Sequence, residues 1–312
     1  MACGSMGSTL QLAALLMLGG ASALAAPASV GPDSLYVVGC GVMGQSVCLQ
    51  WRAAYPDATI IGETGSDASH ERLRAIGVEP VLRSARDGRA CDHVLFCAPP
   101  SPFGDDEYGE EVAAAAADCW AGAGGFVFAS SGGVFAEDDG NVVTEGGATA
   151  STPRALKMLK AEAAAIGAGG AAARFAGLYS RARGAHSYWY AKGDVAASPS
   201  GLINLLHYDD AAGFAKRALE AKATGVLLAA DGAPRTRTAI VDAVAGHPAF
   251  RDRPRPVFAA TDEPPRRGPA GGGRIYDCAA SATAVGWAPT YATIEAFFAA
   301  DAEAPCEVAD KK

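Results

Sequence analysis

The sequence predicts an α/β protein built on a doubly wound parallel sheet. The first observation is a short apolar run, Leu35–Val38, which is followed directly by Gly39-x-Gly41-x-x-Gly44 and then by a helix-compatible segment. The second is a regular alternation of apolar strand-like runs with helix-like segments as far as Ser131. Such alternation is typical of strands that lie parallel to each other with helices on both faces.

The predicted elements follow each other at short intervals along the chain. They are a strand at 35–38, a helix to about residue 54, a strand within 58–65, a helix over 69–77, a strand at 79–83, a buried strand within 93–101, a helix over 107–120 and a strand at 124–131. Ligands of such sheets bind beyond the carboxyl ends of the strands. We therefore expect the glycine loop, Ala98, Pro99 and Ser130 to border one crevice.

Each glycine of the loop has a physical role in binding a dinucleotide. Gly39 allows a tight turn, Gly41 lets the backbone approach a pyrophosphate, and Gly44 lets the helix pack closely on the strand. The helix N-terminus then faces the phosphates, so Val42 and Met43 join the predicted cofactor contacts. The sequence therefore predicts a bound NAD or NADP.

The second strand carries the residues that would choose between these cofactors. Glu63, or Thr64 one position on, lies about twenty residues after Gly44. An acid at this point meets the adenosine ribose hydroxyls and repels a 2′-phosphate, and no arginine follows directly. NAD is therefore slightly favoured over NADP.

Composition and charge exclude some classes of function. The net charge is −8, whereas a protein that neutralises nucleic-acid phosphates needs a basic face, so no nucleic-acid partner is predicted. No C-x-x-C pair or Cys/His cluster occurs, so no metal site is predicted. Cys40 in the glycine loop and Cys97 in a buried strand favour reduced thiols over disulfides.

Residues 1–33 are predicted to lie outside the fold, either as a targeting leader or as a disordered segment. Leu10–Ser29 is apolar and then rich in small residues, like a signal peptide, but no lysine or arginine precedes it. It is too short and too rich in glycine and alanine for a good membrane span. With reduced thiols this predicts a plastid or mitochondrion if the leader is a targeting peptide and the cytoplasm otherwise, with secretion less favoured, and no membrane association of the mature protein.

Six motifs occur in one fixed order after the glycine loop: FVFASSGGVF, STPRALKMLKAEAAAIG, AAARFAGLYS, GLINLLHYDDAAGFAKRALE, GVLLAADGAPRTR and GGGRIYDCAASATAVGWAPTYAT. Together they make residues 34–298 resemble atypical members of the extended short-chain dehydrogenase/reductase superfamily, which are NAD-dependent epimerase/dehydratase-like proteins. The resemblance implies a Rossmann-type doubly wound parallel sheet with a small C-terminal substrate lobe.

The resemblance also implies how the chain is divided. The NAD(P)-binding Rossmann domain would comprise residues 34–178 and 201–245, and the substrate lobe and tail would comprise residues 179–200 and 246–312. Gly177 and Leu178, after the sixth strand, are implied cofactor contacts. Relatives that pair helices between subunits make a homodimer possible.

The sequence departs from the family at its catalytic pair, Tyr-x-x-x-Lys. In catalytic members the tyrosine exchanges a proton with the substrate, while the lysine lowers its pKa and holds the ribose. With Glu162 taken as the family's glutamate, Arg154 falls at the tyrosine and Met158 at the lysine. A guanidinium does not deprotonate in proteins, and methionine carries no charge. Ser131 keeps the position of the family's catalytic serine or threonine, where it either polarises a carbonyl or only caps the loop.

A second Tyr-x-x-x-Lys, Tyr188 to Lys192, follows the sixth strand and is therefore in the wrong place for the family pair. Its aromatic residues and the following glycine do not favour a helix. Tyr188 or Tyr190 could still project into the substrate pocket and supply the proton, with His186 beside them in the pocket wall. The same aromatic residues could equally form the core of the small lobe.

Two further sets of polar side chains could meet the substrate. Arg181 and Arg183 could receive an anionic group bidentately, or be solvated surface cations. His207 precedes Asp209 and Asp210, either of which is a plausible helix N-cap. The main role predicted for His207 is structural, in holding the substrate lobe against the nucleotide-binding domain. The alternative is that it contacts the substrate and acts as a general acid or base.

Two functions follow from these observations. The first is an NAD(P)-dependent oxidoreductase or epimerase-like enzyme that transfers a hydride at a carbonyl or alcohol carbon of a small molecule, with a non-standard proton relay. The alternative is a catalytically inactive NAD(P)-binding sensor or regulatory protein. The intact glycine loop supports both, and the missing Tyr-Lys pair motivates the second.

Overall fold

The fold is seen in a computed structural model that describes residues 28–258 and 272–300, together with Met1. Its strands are β1 (Leu35–Val38), β2 (Ile60–Thr64), β3 (Glu79–Leu82), β4 (His93–Phe96), β5 (Phe126–Ser131), β6 (Asp139–Val143), β7 (Ala171–Phe175), β8 (Gly177–Tyr179), β9 (Asp194–Val195), β10 (Leu202–Ile203), β11 (Leu205–His207), β12 (Gly225–Ala229), β13 (Arg235–Thr236), β14 (Val257–Phe258) and β15 (Gly273–Tyr276). Its helices are α1 (Val42–Ala54), α2 (His70–Ala75), α3 (Glu107–Cys119), α4 (Pro153–Gly167), α5 (Ala185–Lys192), α6 (Tyr208–Glu220), α7 (Arg237–Ala245), α8 (Ala279–Val285) and α9 (Ile294–Ala299).

Seven of these strands form one parallel sheet in the order β12-β7-β5-β4-β1-β2-β3. Leu35 in β1 pairs with Ile60 in β2 on one side and with His93 in β4 on the other. The strand order therefore reverses at β1, and the crevice beyond β1 and β4 is where such sheets bind ligands. The predicted doubly wound sheet is confirmed.

The side chains of β1 alternate between two apolar layers, as the period of a strand requires. Leu35 and Val37 pack in a cluster under α1 and α6, whereas Tyr36 and Val38 pack in a second cluster under α3 and α4. All four side chains are buried. Because both faces are covered, the strand has the continuous apolar run that predicted it.

A third apolar cluster forms the small lobe at the carboxyl edge of the sheet. It joins Tyr179 of β8 to Trp189 and Tyr190 of α5, and it continues through α7 to Phe297 of α9. A carboxylate fastens the lobe to the sheet: Asp210 in α6 accepts hydrogen bonds from the backbone N–H groups of Thr290 (2.7 Å) and Tyr291 (3.0 Å).

Two boundaries of the lobe differ from the predicted ones. Helix α7 falls in the predicted Rossmann domain, but Ile240, Val241 and Val244 pack in the lobe cluster. Helix α8 falls in the predicted lobe, but Val285 packs in the cluster under α1 and α6. Each helix has an apolar side, but composition alone does not show whether that side packs in the lobe cluster or in the cluster under α1 and α6.

Within residues 28–258 and 272–300, no helix is both long and apolar enough to cross a bilayer. The run on which the targeting prediction rests, Leu10–Ser29, falls almost entirely outside these described ranges, so the leader remains a prediction.

Candidate active site

A cavity of about 560 Å³ opens at the carboxyl ends of β1, β4, β5 and β7. The glycine loop forms one wall, and the segments that follow β4, β5 and β7 form others, together with the first turns of α4. The lining residues come from 39–44, 97–100, 129–134, 154–158 and 175–178, with Tyr108, Arg183 and Tyr208. Most of the wall is apolar or backbone, which is typical of a small-molecule site.

The three glycines of the loop differ in whether backbone conformation and packing require a glycine at that position. Gly39 has φ +81°, and a Cβ there would lie 2.3 Å from the Cα of Ala98. A Cβ at Gly44 would lie 2.8 Å from Val37 Cγ1. Gly41, in contrast, has φ −84°, and the nearest atom to its Cβ would be 3.9 Å away. The protein's own packing therefore explains Gly39 and Gly44 but does not explain Gly41.

Helix α1 presents its N-terminus to the same cavity. Gly41 is the N-cap and supplies no side-chain hydrogen bond, and no acidic residue lies in the first turn. Met43 and Gly44, in that turn, line the cavity. The backbone N–H groups and the helix dipole at such an end favour an anion.

The predicted cofactor contacts Glu63 and Thr64 do not line this cavity. Glu63 is 1% exposed and accepts hydrogen bonds from Tyr36 Oη (3.0 Å) and from Arg86 Nε (2.8 Å) and Nη2 (3.0 Å). Thr64 Oγ1 lies 2.8 Å from His70 Nε2. The carboxylate is thus occupied by an internal ion pair, so the preference for NAD over NADP loses its support.

The end of β5 brings two serines into the cavity wall, and they make different hydrogen bonds. Ser130 Oγ donates a hydrogen bond to Glu162 Oε1 (2.6 Å), which is an internal contact. Ser131 Oγ accepts a hydrogen bond from the N–H of Gly133 (3.1 Å), so its hydroxyl proton remains to be donated. Ser131 therefore caps the loop and can also donate a hydrogen bond to a ligand oxygen.

A buried ion pair lies behind these serines. Arg174 in β7 donates to Glu162 through Nε (3.0 Å to Oε1) and Nη2 (2.7 Å to Oε2). The side chains of Arg174 and Glu162 are 5% and 4% exposed. The pair joins β7 to α4 and, through Ser130, to β5.

Helix α4 turns Arg154 and Met158 toward the cavity, at the two positions that the sequence resemblance assigns to a tyrosine and a lysine. Thr152 caps the helix by accepting a hydrogen bond from the N–H of Ala155, and Pro153 occupies the first helical position. Residues four apart share a helix face, and both Arg154 and Met158 line the cavity. Arg154 is exposed, whereas Met158 is only 6% exposed.

The segment with the second Tyr-x-x-x-Lys is a helix, α5, contrary to the expectation from its composition. Gly184 (φ +124°) precedes it and Gly193 (φ +77°) ends it. Its inner side, with Trp189 and Tyr190, packs in the lobe cluster, so tertiary packing outweighs the weak propensity.

None of the predicted functional side chains of α5 lines the cavity. Tyr188 is 58% exposed, and Lys192 Nζ lies 5.7 Å from its ring centroid. Tyr190 packs on Phe250 with the ring centroids 5.0 Å apart. His186 is 1% exposed, and burial lowers its pKa to about 4. The geometry therefore supports the lobe-core interpretation for His186 and Tyr190 and places Tyr188 on the surface, and it brings none of the three to the cavity as a proton relay.

His207 and Arg181 also lie outside the cavity wall. His207 is fully buried and is the N-cap of α6, since its Nδ1 accepts the N–H of Asp209 (3.2 Å). The expectation that Asp209 or Asp210 caps this helix is therefore wrong. Burial lowers the pKa of His207 to about 4, so the imidazole is neutral at pH 7. Arg183, two residues after Arg181, does line the cavity.

Several residues of this wall carry little signal in the sequence. Tyr208 follows His207 directly, and Tyr108 lies in α3, where Oη donates to the carbonyl oxygen of Ala98 (2.8 Å). Tyr208 is a polar aromatic residue at the start of a helix beside the crevice. That position is the one sequence signal that could have predicted its place in the cavity wall. Among the described residues, no three His, Cys, Asp or Glu side chains are grouped so as to hold a metal ion.

A buried acid after β12 predicts a pH effect on stability. Asp231 is 9% exposed; Oδ1 accepts the N–H of Ala233 (2.9 Å), and Oδ2 has no partner. Burial raises the pKa of Asp231 from 3.8 to about 7, against a lowering by Ala233 N–H and by Arg235. Between those two values the folded state keeps a proton that the unfolded state has lost, so this group makes stability fall as pH rises from about 4 to about 7.

Asp231→Asn should remove that contribution while keeping the Oδ1 acceptor. We expect the free energy of unfolding of the variant, relative to wild type, to rise with pH across this window by at most about 4 kcal/mol. Urea denaturation at several pH values measures the difference, with exposed Asp194→Asn as the control. Parallel curves for wild type and Asp231→Asn would contradict the assignment.

Comparison with known proteins finds solved structures of similar fold, some of which hold NAD. No family model matches the sequence, and no curated protein matches it. A conserved protein of unknown function from Silicibacter pomeroyi is similar in structure, with TM-score 0.67, 21% identity, and coverage of 87% of this chain and 99% of that one. MoeE5 in complex with UDP-glucose and NAD has TM-score 0.66, 15% identity, and coverage of 85% and 96%.

A third similar structure is the UDP-glucose-4-epimerase of Stenotrophomonas maltophila with bound NAD and formylated UDP-arabinopyranose. Its TM-score is 0.64, with 19% identity and coverage of 85% of this chain and 96% of that one. At these identities the likeness concerns the fold. The chain therefore has the Rossmann-type fold of NAD-dependent epimerases and dehydratases, as the six ordered motifs predicted.

Proposed function

We propose that the cavity binds NAD or NADP and that the protein is an epimerase-like or oxidoreductase enzyme acting on a carbonyl or alcohol carbon of a small molecule. Support comes from the glycine loop and helix N-terminus at the sheet's switch point. The similar structures that hold NAD together with nucleotide sugars support the same cofactor class.

The observation that carries the proposal is Gly41. Its backbone conformation suits any residue, it is exposed at the cavity, and the nearest atom to a Cβ there would be the carbonyl oxygen of Gly39 at 3.9 Å. A glycine that the fold does not need is explained by a ligand that passes close to the backbone. A pyrophosphate held by the N–H groups of α1 makes that approach.

In this proposal the lining residues have separate roles in binding the cofactor and the substrate. Residues 39–44 hold the diphosphate, and Gly177 and Leu178 border the other end of the cavity. When bound, the nicotinamide supplies the hydride acceptor or donor. Ser131 donates its hydroxyl proton in a hydrogen bond to the substrate oxygen and polarises that carbon. The described lining contains tyrosines but no lysine, which supports including a non-standard proton relay in the proposal.

The test is a titration of the full chain with NADH and NADPH, followed by nicotinamide fluorescence. Gly41→Val should weaken the binding of both cofactors at least about tenfold, because a branched side chain occupies the space of the pyrophosphate. Its melting temperature should match wild type, since a Cβ at this position makes no contact closer than ordinary van der Waals distance.

Gly65→Val is a matched control, because Gly65 is also exposed and open but lies outside the cavity. The proposal would be contradicted if wild type bound neither NADH nor NADPH, or if Gly41→Val bound them as tightly as wild type does.

A second function is favoured by Arg154 and Met158. Both line the cavity, and the sequence resemblance assigns their positions to the tyrosine and lysine of catalytic members. In this case the protein binds NAD(P) without turnover and acts as a sensor or regulator. Tight binding without hydride exchange, across nucleotide sugars, aldehydes and ketones, would favour the sensor over the enzyme.

A further inference from the structure

The cavity wall includes a guanidinium group that the glycine loop does not explain. Arg154 belongs to the lining, and no aspartate or glutamate of the described residues does. The chain as a whole carries a net charge of −8, so a cation in this wall is set against an acidic background. Such a local positive charge favours an anionic ligand.

Arg154 differs from the other cations of its helix. Lys157 donates to the carbonyl oxygen of Phe103, and Lys160 pairs with Asp106, both away from the cavity. Arg154 is exposed, and within the described part of the chain it makes no hydrogen bond or ion pair. Its planar set of N–H donors is thus available for a ligand, and that set matches a carboxylate or phosphate bidentately.

The position of Arg154 separates this anion from the cofactor's diphosphate. The glycine loop follows β1, whereas α4 packs over β5 and β7, and β4 lies between β1 and β5. Strands are spaced by about 4.8 Å, so the ends of β1 and β5 are roughly 10 Å apart along the cavity. The guanidinium therefore belongs to the part of the wall near Ser131, away from the phosphate-binding turn.

The neighbouring wall indicates what accompanies the anion. Met158 and Val134 line the cavity near Arg154 and are only 6% and 1% exposed, so they form an apolar surface beside the charge. Ser131 supplies a hydroxyl donor in the same region. A small organic anion with a carbonyl or hydroxyl group would satisfy all three features at once.

From this arrangement we propose that Arg154 binds a carboxylate or phosphate group of the substrate beside Ser131, so that the protein acts on an anionic carbonyl compound or alcohol. The proposal rests on the proposed function, in which Ser131 faces the reacting carbon. It makes Arg154 a residue that determines substrate specificity, in the place where catalytic relatives carry a tyrosine.

The experiment is calorimetric titration of the full chain with oxalate and with inorganic phosphate, first without cofactor and then saturated with NADH. The proteins compared are wild type, Arg154→Gln, Arg154→Lys and the control Arg74→Gln, which removes an exposed arginine on α2. Oxamide, a neutral analogue of oxalate, tests whether charge is required. Melting temperatures show that each variant is folded.

We expect oxalate or phosphate to bind wild type and Arg74→Gln equally, and to bind Arg154→Gln at least tenfold more weakly. Arg154→Lys should fall between, because a point charge replaces a bidentate fork. The affinity of Arg154→Gln for NADH should differ less than twofold from that of wild type. Whichever of oxalate and phosphate binds wild type more tightly shows whether the site recognises a carboxylate or a phosphate.

Two results would overturn the inference. Anion binding that is absent from wild type, or that is equal in wild type and Arg154→Gln, would show that Arg154 holds no anion. A tenfold loss of NADH affinity in Arg154→Gln would assign the guanidinium to a cofactor phosphate instead. Failure of wild type to bind NADH sinks the proposed function by itself, while the titration without cofactor still decides whether the anion site exists.

Discussion

A protein that carries Arg154→Tyr and Met158→Lys together is expected to contain a phenol whose pKa is about one to three units below that of the same phenol in Arg154→Tyr alone. The physical reason is the helix geometry of α4. Residues four apart lie one turn from each other on the same face, and both of these positions line the cavity. An ammonium beside a phenol stabilises the phenolate and lowers its pKa from about 10.

The measurement is a pH titration of ultraviolet difference absorbance, with wild type subtracted so that only the introduced phenol is followed. Arg154→Tyr with Met158→Leu is the matched control, since leucine fills similar space without charge. Equal phenol pKa values in the two double variants would mean that positions 154 and 158 do not share the cavity wall.

The same double variant also distinguishes the two proposed functions. General acid–base catalysis contributes about 10²- to 10⁴-fold to enzymatic rates. If the natural chain is a sensor without a relay, hydride exchange with a nucleotide-sugar panel should first become measurable in the variant. If the chain is an enzyme for an anionic substrate, the variant should lose that activity together with the guanidinium.

Glu162→Ala should lower the free energy of unfolding by about 3–5 kcal/mol, because it leaves the buried guanidinium of Arg174 without its counter-charge. Ser130 Oγ also loses its acceptor. The loss should be larger than for most surface substitutions, which stay within about 0.5 kcal/mol. Urea denaturation measures it, with exposed Glu71→Ala on α2 as the control.

A second variant separates the ion pair from the space that it fills. Glu162→Ala combined with Arg174→Met removes both charges, so the double variant should recover part of the stability lost in the single one. A cost below about 1 kcal/mol for Glu162→Ala, or no recovery in the double variant, would contradict a buried pair that joins β5, β7 and α4.

Local signals in the sequence are sufficient to predict the sheet and one end of the site. The run Leu35–Val38 and the three glycines after it need only a few neighbouring residues to be interpreted. Their geometry follows from backbone sterics and close packing, as φ +81° at Gly39 shows. The order of the later motifs then predicts that β5, β7 and α4 border the crevice, and Ser131, Gly177 and Leu178 do line it.

Partners that are distant in the chain explain why other expectations were wrong. Glu63 comes at the expected point of β2, but the partner that occupies it is Arg86, more than twenty residues away and without any local signal. His207 replaces Asp209 as N-cap because its ring is enclosed by the lobe's aromatic residues, including Phe297 at 4.3 Å between centroids. Helix α5 forms for a similar reason, since the lobe cluster rather than local propensity stabilises it.

The carboxylate of Asp210 limits how the cavity can open. It is 3% exposed and holds two backbone N–H groups of the segment before α9, and the amide of Asn204 holds β15 by a hydrogen bond to the carbonyl oxygen of Arg274 (2.8 Å). Swinging this part of the lobe away from the sheet would break bonds to a buried charged group, at about 1.5–3 kcal/mol each. These hydrogen bonds therefore tie β15 and residues 290–291 to the body of the protein, and they oppose a hinge between that body and this part of the lobe.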